Sequence, residues 1–225
     1  MVKNQKVSSK LDYYKDWIDY WNKKGESGET DIKIVSGYEG KLSHLPENSK
    51  KLLIDSIVSR LKLNKKNRLL DVGCGVGILT IEFKKYVREV VGLDMSQSML
   101  KRVPHCIKTY LSEASKMPFT DCVFDKILCH SIFQYFSDLD YAQKVVKEMY
   151  RVCKLGGLIY IVDIPDEAKK TSYNKNKKIE KHNLTRLFYQ KSFFRKIYPH
   201  ACVFNNKLSS YGNAQYRFNV LITKK

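Results

Sequence analysis

No run of eighteen apolar residues occurs in the 225-residue chain, which excludes a membrane-spanning helix by composition. The opening stretch, MVKNQKVSSKLDYYKDW, lacks the apolar core that a secretory leader needs. The C-x-x-C pair is also missing. Six cysteines stand apart at 74, 106, 122, 129, 153 and 202, so neither a zinc site nor a dithiol redox site is expected, and no metal is assigned. Several of them fall in apolar, strand-like runs, where a reduced cysteine packs as a small hydrophobe. A reducing, cytoplasmic setting is the expectation.

Arginine is scarce. Only eight of the 41 basic residues are Arg, although the formal charge is +18. A charge of that size attracts nucleic acid or an anionic small molecule. Arg does most bidentate reading of phosphates and bases, whereas Lys here is spread along the whole chain. A nucleic-acid partner stays open but is not favoured, and an anionic small acceptor is preferred to it. Oligomeric state is not legible.

With 43% hydrophobic and 28% charged residues, the chain suits one well-buried globular domain. Residues 9–23 place Leu11, Tyr14, Trp17, Ile18 and Trp21 on one helical face. A glycine-containing loop follows, and residues 1–46 read as an N-terminal helical cap and loop of the same domain. Residues 47–63 form a second amphipathic helix after Pro46. Strands are then expected near 68–72, 89–94, 107–111, 124–130 and 157–163, with helices near 78–86, 96–102, 139–152 and 190–197. Two closing strands are expected at 200–209 and 215–223. Such alternation predicts a mainly parallel sheet covered by helices on both faces, with ligands beyond the carboxyl ends of the strands. The Lys- and Asn-rich stretch within 166–189 reads as a mobile, lid-like insertion in the 47–225 unit.

The most informative stretch is LLDVGCGVGILT, residues 69–80. Glycines recur at 73, 75 and 77 where a strand gives way to a helix, so a ligand can approach the bare backbone. The dinucleotide pattern G-x-G-x-x-G requires its third glycine at 78, where this chain has Ile78. Asp71 precedes the loop and Asp94 closes the next strand in VVGLDMS, where a carboxylate can hold both hydroxyls of a ribose. The site therefore wants a nucleoside, without an obvious place for a pyrophosphate.

Four segments in order, LLDVGCGVG, VVGLDMSQSML, SEASKMPFTDCVFDKILCHSIFQYF and EMYRVCKLGGLIYIVD, resemble the motifs of class I S-adenosylmethionine-dependent methyltransferases, particularly their small-molecule, ubiquinone-biosynthesis-like branch. The resemblance covers about residues 66–165. It implies a Rossmann-like α/β fold with a seven-stranded, mainly parallel sheet and an antiparallel strand near the C-terminus. It also implies S-adenosyl-L-methionine as methyl donor and S-adenosyl-L-homocysteine as product.

The resemblance carries roles to particular positions. Asp71 would orient the methionyl amino group, and Gly73, Gly75 and Gly77 would form the loop against the donor. Asp94 would bind the ribose hydroxyls and Met95 would pack on the adenine, with Glu113 and Ala114 at the adenine edge. His130 and Ser131 would line the cleft near the sulfonium. Gln134 and Tyr135 stand where many relatives carry Glu–His. His130 is the candidate base, with Tyr135 behind it. Tyr14, Trp17, Ser131 and Gln134 are candidate acceptor contacts.

The acceptor is approached by exclusion. No Asn/Asp-Pro-Pro-aromatic tetrad follows the fourth strand, and no Pro-Cys or Thr-Cys pair supplies the thiolate of 5-methylcytosine chemistry. These absences favour a small-molecule acceptor methylated on oxygen, with nitrogen open. The alternatives are an RNA or protein methyltransferase and a non-catalytic cofactor-binding subunit.

Overall fold

Strands and helices alternate in the order that the apolar pattern predicts. The computed structural model describes residues 10–37, 49–176, 184–205 and 214–225, without the side chains of 10–14 and 176. Helices α1 (Lys10–Glu26), α2 (Ile32–Val35) and α3 (Ser49–Leu61) precede the sheet. Then come β1 (Arg68–Val72), α4 (Thr80–Phe83), β2 (Glu89–Asp94), α5 (Gln97–Leu100), β3 (Lys108–Leu111) and β4 (Phe124–His130). The remainder is α6 (Leu139–Val152), β5 (Cys153–Pro165), α7 (Lys170–Asn176), α8 (Lys191–Ile197), β6 (Cys202–Asn205) and β7 (Arg217–Thr223).

One seven-stranded sheet runs in the order β3-β2-β1-β4-β5-β7-β6. Strands β1 to β5 are parallel to one another, and β7 lies antiparallel between β5 and β6. The order reverses at β1, so β1 and β4 diverge to opposite sides of a crevice at their carboxyl ends, where open α/β sheets bind ligands.

Strand periodicity divides the core into two layers. Leu70, Val72, Ile127, Cys129, Ile159 and Ile161 face Ala142, Val145, Val146 and Met149 of α6. Leu69, Val90, Leu128, Tyr160 and Val162 face the opposite layer, with Leu53, Ile54, Ile57 and Leu61 of α3. Asp138 caps α6 by accepting the Tyr141 N–H at 2.8 Å. All six cysteines are free, with Cys74, Cys129 and Cys153 buried. Among the described residues no helix is long and apolar enough to cross a membrane.

Several expected boundaries shift. The helix expected at 78–86 shrinks to Thr80–Phe83, because the left-handed Gly77 (φ 77°) holds the chain in a turn first. Strand β5 starts at Cys153, with Gly156 at φ 70° and an irregular register near Phe124 and Lys126. The segment 166–189 is more anchored than its composition suggests. Lys170–Asn176 is helical, and buried Tyr173 packs edge-on against Phe188 and Tyr216. Tyr189 is buried, and its hydroxyl donates to the Phe133 carbonyl at 2.7 Å. Aromatic rings supply the apolar area that the missing aliphatics do not. Residues 177–183 lie outside the described residues.

The cap docks through polar contacts. The Ser96 hydroxyl donates to the Asn22 side-chain oxygen at 2.7 Å, and the Ser98 hydroxyl donates to the Asn22 carbonyl at 2.9 Å. Arg102 donates to the carbonyls of Gly25 and Glu29. Helices α1 and α5 meet closely at Gly25, where an added Cβ would lie 2.5 Å from the Ser98 hydroxyl oxygen.

Candidate functional site

The crevice opens into a cleft that, with its mouth, encloses about 1050 Å³. The first wall is the turn after β1. Gly73 and Cys74 donate their N–H groups to the Leu93 carbonyl at 2.7 and 3.1 Å, which folds the turn over the end of β2. Gly73 has φ 75°, and a Cβ there would lie 2.5 Å from Ile132 Cγ2. Only glycine meets both conditions. Gly77 faces away from the cleft and packs under Val103.

Two carboxylates define the polar chemistry of this wall. Asp71 is buried, and the Thr80 hydroxyl donates to its Oδ2 at 2.6 Å. Burial pushes its pKa from 3.8 up to about 6, the Thr80 bond opposes the shift, and the charge of Asp94 adds to it. Asp94 accepts the N–H of Gly75 at 2.8 Å on Oδ2 and that of Ser96 at 2.9 Å on Oδ1. Burial raises this carboxyl too, while the backbone donors of Ser96, Gly75 and Met95 pull it down. Burial pushes the Cys74 thiol well above its ordinary value, so it stays protonated and packs as an apolar group.

Opposite, His130 ends β4 in register with Val162, 9% exposed and facing the cleft. Ser131 follows with φ 60°, and Tyr135 sits on the short 3-10 turn Phe133–Tyr135. Burial pushes the Tyr135 phenol up to about 12, with the Arg186 and Arg217 charges opposing. At neutral pH the phenol is therefore protonated.

The cleft gathers Asp71, Gly73, Gly75, Asp94, Met95, Ala114, His130, Ser131 and Tyr135 from the residues named by sequence. Others lie elsewhere. Glu113 is exposed, with its Oε2 accepting from the Ser115 hydroxyl at 3.1 Å, and its neighbours Ser112 and Ala114 take the wall instead. Gln134 is fully buried behind the wall. Trp17 is fully buried and meets Tyr135 at 4.5 Å between ring centroids, so it supports the wall without lining it. The Tyr14 side chain lies outside the described residues. Sequence reasoning missed Trp21, Ser36 and Gly37, which bring the cap onto the cleft, and Met99, which lines it from α5. Trp21 was visible as part of the helical face. Ser36 and Gly37 carry no signal of their own.

Among the described lining residues there are two aspartates and neither Lys nor Arg. The net charge of +18 is thus not expressed among the described residues of this wall. The wall suits a ligand with cationic and hydroxyl groups set on an apolar body, and it opposes a pyrophosphate.

Comparison with known proteins agrees with this chemistry. Residues 70–161 match the model of a methyltransferase domain. A malonyl-[acyl-carrier protein] O-methyltransferase of Coxiella burnetii is 36% identical over 124 residues, covering 53% of this chain and 42% of that protein. The methyltransferase YcgJ of Bacillus subtilis is 29% identical over 115 residues, covering 48% of this chain and 44% of that protein. The chain thus spans less than half the length of these curated relatives. Among solved structures, a phosphoethanolamine N-methyltransferase of Haemonchus contortus superposes with a TM-score of 0.69 at 11% identity, over 98% of this chain and 50% of that one. At that identity the likeness is one of fold.

Proposed function

We propose that this chain, whose residues 70–161 match a methyltransferase domain, transfers a methyl group from S-adenosylmethionine to a small-molecule acceptor, on oxygen by preference. The observation that carries the reading is the pair Asp71 and Asp94 beside the glycine turn, in a cleft lined by no described Lys or Arg. The residues present fit the donor. Asp71 would face its amino group and Asp94 its ribose hydroxyls. Met95, Met99 and Ala114 supply apolar surface for the adenine. Bound S-adenosylmethionine supplies an electrophilic methyl on a positively charged sulfur.

The chain's own residues position and deprotonate. Gly73 and Gly75 bring bare backbone to the cleft, and the Gly75 N–H fixes Asp94. Trp21, Ser36 and Gly37 close the cleft from the cap side and limit water. His130, at the end of β4, is the group placed to take the acceptor's proton. A positioned base of this kind contributes about 10²–10⁴-fold, and alignment of the reacting atoms contributes roughly 7–11 kcal/mol in favourable cases.

The test is ligand-induced stabilisation together with methyl transfer. S-adenosylhomocysteine at about a hundred times its dissociation constant should add about 2.7 kcal/mol to stability. NAD should add nothing. Labelled methyl should appear in low-molecular-weight products. Stabilisation by NAD and none by S-adenosylhomocysteine would reject the reading.

A further inference from the structure

The cleft's far side backs onto a polar cluster that the donor does not use. Ser131 follows β4 and Asp163 lies two residues before the end of β5, both with left-handed backbone (φ 60° and 65°), and the Ser131 hydroxyl donates to Asp163 Oδ2 at 2.6 Å. Asp163 receives its own backbone restraint, donating its N–H to Asn219 Oδ1 at 3.0 Å. Gln134 donates Nε2 to the Ser131 carbonyl at 2.9 Å. Its Oε1 accepts from Arg217 Nη2 at 2.9 Å and also from Arg186 Nη1. One neutral amide oxygen therefore receives two guanidinium groups.

Arg217 is only 3% exposed. It forms a buried ion pair with Asp163, Nε lying 3.8 Å from Oδ1 and too far for a hydrogen bond, and its Nη1 has no hydrogen-bond partner among the described residues. A buried donor left so is costly, and a guanidinium more than a neutral group. The fork geometry of Arg matches a carboxylate or a phosphate, and a charged acceptor makes hydrogen bonds roughly twice as strong as a neutral one. Gln134 Oε1 thus occupies the place of an oxygen that these two arginines would bind more tightly if it were anionic.

The place lies directly behind Ser131 and Tyr135 of the cleft wall. Arg186 Cζ lies 6.0 Å from the Tyr135 ring centroid, and Tyr135 and Ser131 line the cleft. Asp163 and Arg217 belong to β5 and β7, whereas the donor's aspartates belong to β1 and β2 across the sheet. Arg217 and Asp163 thus lie on the other side of β4 from Asp71 and Asp94.

We propose that Arg186 and Arg217 bind an anionic group of the methyl acceptor, a carboxylate or a phosphate, with the Gln134 amide oxygen holding that position in the free protein. Calling the ligand the acceptor rests on the methyltransferase reading, but the anion site does not. Both tryptophans stand against Tyr135, Trp17 at 4.5 Å and Trp21 at 5.3 Å between centroids, so their fluorescence reports on it.

The full chain is titrated at constant ionic strength with inorganic phosphate, with acetate and with uncharged acetamide, in the presence and absence of S-adenosylhomocysteine. A saturable change with phosphate or acetate, and none with acetamide, is expected, and the stronger of the two anions identifies the group. Arg186→Gln should weaken that anion by at least about tenfold, the equivalent of one lost charge-assisted hydrogen bond. Arg217→Lys keeps the buried charge but loses the fork, and should weaken it similarly while S-adenosylhomocysteine affinity persists. No saturable response to either anion, or an unchanged response in folded Arg186→Gln, overturns the site. An anion response without S-adenosylhomocysteine binding keeps the site and rejects the methyltransferase reading instead.

Discussion

The carboxylate of Asp94 reaches back to the N–H of Gly75 at 2.8 Å, so the end of β2 holds the glycine turn that follows β1. One side chain thus has two tasks. It fixes the backbone of the glycine turn, and in the proposed reading it keeps further lone pairs for the donor's ribose. Asp94→Ala should therefore weaken S-adenosylhomocysteine by more than the one or two bonds to hydroxyls, each about 1.5–3 kcal/mol for a charged partner. The free protein should also melt at a lower temperature. Calorimetric titration and a thermal melt check both parts. Unchanged affinity in the folded variant rejects the ribose role.

Asp71 makes the free protein pH-sensitive in a stated direction. Burial raises its pKa from 3.8 to about 6, so the folded state binds this proton more tightly than the unfolded chain. The contribution to stability is favourable below 3.8, and it declines as pH rises from 3.8 to about 6. Asp71→Asn should remove that decline and make the free protein more stable at neutral pH. Wild-type binding of a ligand with an ammonium group should strengthen as pH rises through about 6, with proton release. Denaturant melts across this range, on both proteins, measure the difference.

His130→Gln should lower methyl transfer by about 10²–10⁴-fold while S-adenosylhomocysteine affinity stays nearly intact. Full activity in the variant assigns the proton elsewhere, or shows that the acceptor arrives already ionised.

Gly73→Ala meets two obstacles, a φ of 75° and Ile132 Cγ2 at 2.5 Å from the new Cβ. The left-handed strain alone is of order 1–3 kcal/mol. A second change, Ile132→Ala, removes the collision but not the strain. Stability should therefore return only in part, as chemical denaturation will show. Complete recovery in the double variant places the whole cost in the collision.

The cap should contribute to donor binding through Asn22. Its side-chain oxygen accepts from Ser96 and Ser98 at 2.7 and 3.1 Å, which seats α1 on α5. Asn22→Ala removes this acceptor and leaves two hydroxyls to find others, at about 1–3 kcal/mol. Amide exchange in residues 15–26 should rise, and S-adenosylhomocysteine should leave faster. Exchange unchanged from wild type would show that the aromatic contacts alone seat the cap.

The sequence by itself determined the sheet and the donor side of the site. Strands β1, β2 and β4 were legible because each is a short apolar run bounded by turn chemistry. The candidate donor residues lie within a turn or two of those strand ends, so Asp71, Gly73 and Asp94 could be picked out locally, while Met95 came from the family resemblance. Glu113 shows the limit of that reasoning: the position is adjacent to the wall, but the backbone turns Ser112 and Ala114 inward and leaves Glu113 outside. Only the tertiary structure decided the cap and the acceptor side. Trp21, Ser36 and Gly37 reach the cleft through a docking of α1 on α5, across more than seventy residues of chain. Arg217 meets Gln134 across 83 positions, because β7 inserts between β5 and β6. No local pattern encodes such a meeting, since it depends on which strand lies beside which, and that is fixed by the packing of the whole sheet.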